Sequence, residues 1–170
     1  MSIFTITLLA VSVVDYFHRL IPVIAPSVLF VVGLLFSFFN LMLGETYFFR
    51  FFNSILGAIA GGGILFLFGM LGGFYYKKEV IGGGDVKLMV GVGAFLGVER
   101  VLLAVFISSL LASIAGLILI LFKNRSNRSK ETYIPFGPFL SLASFAVIFM
   151  PKPVYLISMF FAWEAKILGV

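Results

Sequence analysis

The sequence predicts an all-α integral membrane protein with about six transmembrane helices, some of them short, forming one transmembrane domain over residues 1–170. Only 11% of the residues are charged and 62% are hydrophobic, whereas soluble domains carry roughly 25% charged residues. The apolar residues form long runs, and the mean hydropathy is +1.19. A compact globule of this length could not bury so much apolar surface. A soluble enzyme and a nucleic-acid-binding protein are therefore excluded.

Six apolar runs define the predicted spans, of which the second, third and fifth have the length of about 20 residues that a membrane crossing needs. The first run has no Lys or Arg before its apolar stretch, so we expect a retained helix and not a signal peptide. Residues 151–170 either extend the sixth span past a Pro-Lys-Pro kink or lie in the membrane interface. The predicted spans are residues 2–16, 22–43, 53–76, 86–98, 101–122 and 136–150.

The distribution of basic residues predicts the orientation. Cytoplasmic loops are enriched in Lys and Arg, and the two sides of the predicted bundle carry different numbers of these residues. One side, formed by the first, third and fifth loops, carries Arg19, Lys77, Lys78, Lys87, Lys123, Arg125, Arg128 and Lys130. The other side carries Arg50, Arg100, Lys152 and Lys166. We therefore expect a multi-pass protein of the cytoplasmic membrane, with the first set in the cytoplasm and both termini outside.

Glycines spaced four residues apart indicate close helix packing, because small residues at this spacing let helix backbones approach each other. No phosphate-binding loop is predicted at the glycine run 61–63, since no strand precedes it and no GK[ST] follows. The spaced pairs are Gly57 and Gly61, Gly69 and Gly73, and Gly93 and Gly97.

The chain contains only two aspartates, Asp15 and Asp85, and each lies at the end of a predicted span. The predicted topology places both on the cytoplasmic side. An ionisable group at membrane depth costs at least ~2.5 kcal/mol and is a functional candidate for that reason. The structural alternatives are a helix N-cap for Asp85 and, for Asp15, a boundary residue paired with Arg19.

If the two carboxylates of Asp15 and Asp85 meet, they share one proton, because like charges a few ångströms apart cannot both ionise. One can then deprotonate a water while the other protonates a carbonyl oxygen, which is general acid–base hydrolysis. The helix ends suggest an assignment. Asp85, at a helix N-terminus, is expected to be the anion, and Asp15, near a helix C-terminus, the acid.

Other chemistries are supported less well. A metal site would depend on Asp15, His18 and Asp85 with no further carboxylate nearby, so we predict neither a metal nor a cofactor. The sequence has no cysteine and no GxSxG motif, which excludes a thiolate nucleophile and disfavours a serine triad. Glu79 and Lys87 flank Asp85 and either tune it and its substrate or are solvated loop residues.

Two functions of other classes remain as alternatives. A small proton- or cation-coupled membrane transporter could use the same two aspartates. It does not explain why both acids lie at one face instead of the midplane, and no inverted repeat is visible. A structural assembly subunit leaves both acids unexplained.

Three segments together resemble the type IV prepilin peptidases, which are GxGD-type membrane aspartic proteases. The resemblance runs from about residue 10 to 145, and the three segments occur in the family's order. It implies a six-helix endopeptidase that cuts pilin-like precursors on the cytoplasmic side, after a glycine and just before the hydrophobic helix. The segments are Asp15 with Arg19-Leu20-Ile21-Pro22, then Lys78-Glu79 ahead of Gly82-Gly83-Gly84-Asp85-Val86-Lys87-Leu88, and finally Ile134-Pro135-Phe136-Gly137-Pro138-Phe139-Leu140.

The resemblance also implies roles for single residues. Asp15 and Asp85 match the catalytic pair, and Gly82 and Gly84 match the glycines that let backbone approach the second aspartate. A loop before the last helix, expected to be non-helical and to shape a cleft wall, is matched by Pro135, Gly137 and Pro138.

The implied partners are a prepilin or pseudopilin precursor, with its signal segment and hydrophobic N-terminal helix, and the lipid bilayer. No nucleic acid is expected. Larger members of the family carry an N-terminal insert with paired cysteines that is linked to N-methylation. This sequence has no cysteine and fourteen residues before Asp15. It resembles a short branch of the family without the insert, so methyltransferase activity is not expected.

Overall fold

The computed structural model describes residues 2–18, 24–76, 82–122 and 136–150, and over these residues all regular structure is helical. Six α-helices follow one another, with a short 3-10 helix, Leu41–Leu43, between the second and the third. The α-helices are α1 (Ser2–His18), α2 (Ile24–Ser37), α3 (Tyr47–Tyr76), α4 (Gly83–Leu96), α5 (Val98–Phe122) and α6 (Gly137–Phe149).

The six predicted apolar runs all contain a helix, but several helix ends differ from the predicted span ends. The second helix ends at Ser37, whose hydroxyl donates to the carbonyl of Leu34, and the chain continues into the 3-10 helix. The third helix begins at Tyr47, before the predicted start at residue 53, and therefore includes Arg50. The Arg50 guanidinium donates to three carbonyl oxygens, those of Phe38, Gly44 and Glu45.

Helix α4 lies at the centre of the described bundle. Its 14 residues extend about 21 Å at 1.5 Å per residue, and Leu88, Met89 and Val92 are fully buried. The Phe95 ring stacks on Phe4 of α1, with centroids 4.4 Å apart, and on Phe36 of α2, 5.9 Å apart. Neighbouring helices therefore enclose α4 and fix its position.

Glycines form the crossing of α3 and α4. A Cβ on Gly57 would overlap the carbonyl oxygen of Gly93, and a Cβ on Gly93 would overlap backbone atoms of Gly57 and Ala58. One turn further, a Cβ on Gly61 would lie 2.5 Å from the carbonyl oxygen of Met89. The predicted close packing is confirmed for these three glycines. Gly97 takes part in the same contact, because a Cβ on Gly57 would also lie 2.8 Å from the Cα of Gly97, and it ends α4 with a φ of 78°.

Two of the described helices are long and apolar enough to cross a membrane, α5 and the part of α3 from Tyr47 to Tyr75. In the most apolar stretch of 18 residues, only 28% of α3 and only 11% of α5 is buried inside the protein. The exposed apolar surface is therefore extensive, as it is in a protein surrounded by lipid. The helices α1, α2 and α6 are apolar but shorter. The number of spans stays a prediction, and both termini lie outside the described residues.

Candidate active site

Helices α1 and α4 both pack against α6, and this arrangement brings the two aspartates to one end of the bundle. The helices meet at the stacked rings of Phe4 and Phe95. Measured from these rings, Asp15 and Asp85 lie about 15 to 17 Å along α1 and α4 in the same direction, because the helices are antiparallel. Each aspartate is 6% exposed. They are close enough for the charge of Asp15 to act on Asp85, so the structure places two buried carboxylates near each other.

The carboxylate of Asp15 is held by the start of α6. The backbone N–H of Gly137 donates to Oδ2 of Asp15 at 3.1 Å, and this contact is buried. A Cβ on Gly137 would lie 2.5 Å from the same oxygen and 2.9 Å from Cγ. Only glycine therefore leaves room for the carboxylate at this position.

The prediction that Gly137 and Pro138 form a non-helical loop is wrong. Both residues lie in the first turn of α6. Proline is compatible with a first turn because its missing N–H would have no partner within the helix. Pro135, the third predicted member of the cleft loop, lies outside the described residues.

The carboxylate of Asp85 lies within the first turn of α4. Gly82 is the N-cap residue, so the predicted N-cap role of Asp85 is wrong. The N–H of Asp85 donates to the carbonyl of Gly82 at 3.0 Å, and the Gly82 backbone N–H interacts with the Asp85 carboxylate. A Cβ on Gly82 would lie 3.4 Å from Oδ2 of Asp85, an ordinary contact. Gly84 is half-buried in the same turn.

Both carboxylates therefore meet a backbone N–H at a helix N-terminus, Asp85 at α4 and Asp15 at α6. Aligned peptide dipoles favour negative charge at such a position. The prediction that helix ends distinguish an anionic Asp85 from an acidic Asp15 thus loses its basis, because the contact of Asp15 with α6 offsets its place near the end of α1.

Of the remaining predicted site residues, Lys87 is not brought to the pair. Lys87 is exposed and lines a separate groove with Pro26 and Phe30, since two residues along a helix turn the side chain to about the opposite face. Glu79 lies outside the described residues. Among the described residues, no three His, Cys, Asp or Glu side chains cluster as metal ligands. The absence of a metal stays a prediction.

Sequence reasoning did not single out Ser141, which follows Gly137 by one turn of α6. Residues four apart lie on the same face of a helix. Ser141 is 4% exposed, and within the described part of the chain its hydroxyl has no hydrogen-bond partner. The signal available in the sequence was a serine four residues after a glycine in an apolar helix. Ser141 is a candidate member of the site.

Known relatives of the chain share one printed name, prepilin leader peptidase/N-methyltransferase. The relative from Xanthomonas campestris pv. campestris is 34% identical over 146 residues, 84% of this chain and 46% of the relative. The relative from Pseudomonas aeruginosa is 31% identical over 148 residues, which are 87% of this chain and 48% of the relative. The relative from Aeromonas hydrophila is 34% identical over 144 residues, which are 85% of this chain and 47% of the relative. The chain thus spans about half the length of these relatives.

No solved structure matches the chain significantly. The sequence profile of the type IV leader peptidase family matches residues 2–117, a range that contains both aspartates of the buried pair. The chain belongs to the type IV leader peptidase family.

Proposed function

We propose that this chain is a membrane-embedded aspartic endopeptidase that removes the leader peptide from type IV prepilin-like precursors at the cytoplasmic face. The observation that carries the proposal is the pair of buried carboxylates, Asp15 and Asp85, at one end of the bundle. The name printed for the relatives supports a prepilin substrate. The exposed apolar helices support a location in the bilayer, where the substrate's hydrophobic helix would also lie.

The proposed reaction uses one proton shared by the pair. The ionised carboxylate takes a proton from water as the water oxygen attacks the scissile carbonyl carbon, and the protonated carboxyl donates its proton to the carbonyl oxygen. The intermediate then collapses: the C–N bond breaks, and the leaving nitrogen takes the proton that came from water. A hydroxyl of the intermediate returns a proton to the other carboxylate. No covalent bond to the protein forms.

The backbone contacts have a positioning role in this mechanism. The N–H of Gly137 fixes one oxygen of Asp15 and the backbone of Gly82 meets Asp85, so each carboxylate keeps a free oxygen for water or substrate. Burial strengthens the electrostatic coupling between the two groups, because the local dielectric constant is low.

Cleavage of a prepilin-like peptide by the detergent-solubilised protein tests the proposal. The peptide contains a leader, a glycine and a hydrophobic segment, and mass spectrometry identifies the products. We expect a single cut after the glycine. With a methyl donor present, we expect no added mass on the new N-terminus. Absence of cleavage together with aspartate-dependent proton flux in proteoliposomes would support the transporter alternative instead.

Substitution of Gly137 by Ala is expected to lower the cleavage rate about 100-fold while the protein still folds. The added Cβ would meet Oδ2 and Cγ of Asp15, so the carboxylate must move away from its position beside Asp85. The matched control is Gly83→Ala, where a Cβ has no atom within 4 Å. Initial cleavage rates and thermal unfolding of both variants test this expectation. Equal rates in the two variants would contradict it.

A further inference from the structure

The end of the bundle opposite to the two aspartates contains a cavity of about 90 Å³. It lies where the segment between α2 and α3 meets the junction of α4 and α5. Its polar lining side chains are Asn53, Glu99 and Arg100, and its apolar lining includes Leu43, Phe49 and Leu96.

Hydrogen bonds hold the walls of this cavity in place. The Asn53 amide nitrogen donates to the carbonyl of Leu43 at 2.8 Å, and its amide oxygen accepts the N–H of Val98, the first residue of α5, at 3.1 Å. Arg50 is 7% exposed and donates to three carbonyls of the segment before α3. These hydrogen bonds fix the shape of the cavity. Arg50, a second buried cation, lies beside the segment that forms one of its walls.

Arg100 is the unusual lining residue. It is 8% exposed, and within the described residues its Nε has no hydrogen-bond partner. A buried guanidinium is costly unless its charge and its N–H groups are matched. Glu99, the neighbouring residue, has an exposed side chain and also lines the cavity, and its charge acts on the Arg100 guanidinium. The cavity thus contains a planar guanidinium whose buried Nε–H has no acceptor among the described residues, and such a group suits a phosphate.

The location supports the same ligand chemistry. Arg100 lies in the first turn of α5, where the free N–H groups and aligned dipoles of a helix favour an anion. The same helix is long and apolar enough to cross a membrane, so its end lies at the level of the lipid headgroups. We propose that this cavity binds a phosphate group, from a lipid headgroup or from inorganic phosphate, with the Arg100 guanidinium as its principal ligand. The proposal does not depend on the proposed peptidase function.

Thermal unfolding of the purified full chain in detergent tests the proposal. The probes are inorganic phosphate, compared with chloride at equal ionic strength, and dihexanoyl phosphatidylglycerol, compared with the matching diacylglycerol. A saturating probe is expected to raise the unfolding temperature by about 4 °C or more. A shift with the lipid alone identifies a headgroup site, and a shift with both probes shows that phosphate itself suffices. No shift with either probe overturns the proposal.

Variants assign the shift to Arg100. Arg100→Met is expected to remove the shift, and to unfold at no lower temperature than wild type without ligand, because a buried guanidinium whose Nε has no hydrogen-bond partner in the described part of the chain is lost. Arg100→Lys keeps the charge without the planar fork and is expected to bind phosphate at least about tenfold more weakly. Lys87→Gln, an exposed cation at the other end of the bundle, is the control and should keep the wild-type shift.

Glu99→Gln separates the proposed site from a simple pairing of Glu99 with Arg100. If an anion occupies the cavity, loss of the neighbouring negative charge should tighten phosphate binding. If Glu99 alone were the partner of Arg100, phosphate would raise the unfolding temperature of Glu99→Gln but not that of the wild type. That result, or a wild-type shift in Arg100→Met or wild-type affinity in Arg100→Lys, overturns the proposal.

Discussion

Asp15→Asn and Asp85→Asn are each expected to reduce prepilin-peptide cleavage by at least about 10³-fold, because general acid–base steps contribute about 10² to 10⁴ each and the pair shares one proton. Asparagine keeps the shape of aspartate but neither takes a proton from water nor donates one as an acid. The amide oxygen at position 15 can still accept the N–H of Gly137, so both variants should fold.

Initial rates measured on the detergent-solubilised protein, with thermal unfolding as a check on folding, test this expectation. The matched control is Glu45→Gln, which also changes an acid to its amide. Glu45 is exposed, lies at the far end of the bundle and contributes only its backbone carbonyl to Arg50. The control should cleave at the wild-type rate. If either aspartate variant did so as well, that aspartate would be only a helix-end residue and the proposed mechanism would be wrong.

Gly93→Ala is expected to lower the free energy of unfolding by about 3 kcal/mol, the upper end of ordinary overpacking costs. The new Cβ would overlap backbone atoms of Gly57 and Ala58, and backbone cannot move aside as a flexible side chain can. The two helices would have to separate along their crossing. Within a membrane, packing is the main attraction between helices, so the lost contact is not replaced by a hydrophobic gain.

Gly63→Ala is the matched control for Gly93→Ala. Gly63 lies in α3, and a Cβ there has no atom within 4 Å. Alanine favours a helix by about 1 kcal/mol over glycine, so this variant should be as stable as wild type or slightly more stable. Reversible thermal unfolding in detergent gives both values. Equal stability of the two variants would show that the crossing tolerates a wider separation than the structure indicates.

Loss of the α3–α4 contact and loss of the proposed active site have different signatures. Helix α4 carries Asp85 as well as Gly93, so Gly93→Ala should reduce activity and stability together. The aspartate variants should reduce activity alone. The contrast separates a residue that acts in the reaction from one that positions the helix.

The sequence alone predicts the helices and places both aspartates on one side of the bundle. The apolar runs are long and contain few polar residues. Inside a membrane the backbone has no water to hydrogen-bond with, so each run satisfies its own N–H and C=O groups by forming a helix. Successive helices alternate in direction, which puts the end of α1 and the start of α4 on one side. The location of Gly57 and Gly93 in helix contacts was also predictable, because small residues four apart mark such contacts, but their approach to each other was not.

Only the tertiary structure decided which groups meet each carboxylate. The N–H of Gly137 at Asp15, the exposed position of Lys87 and the buried Arg100 beside its cavity depend on how each helix is rotated about its axis. A helix that is apolar nearly all round carries little information about that rotation. The predicted helix ends differ from the observed ends for a related reason. The guanidinium of Arg50, inside α3, is satisfied by carbonyl oxygens of the segment just before the helix, and the apolar pattern of the sequence does not show such contacts.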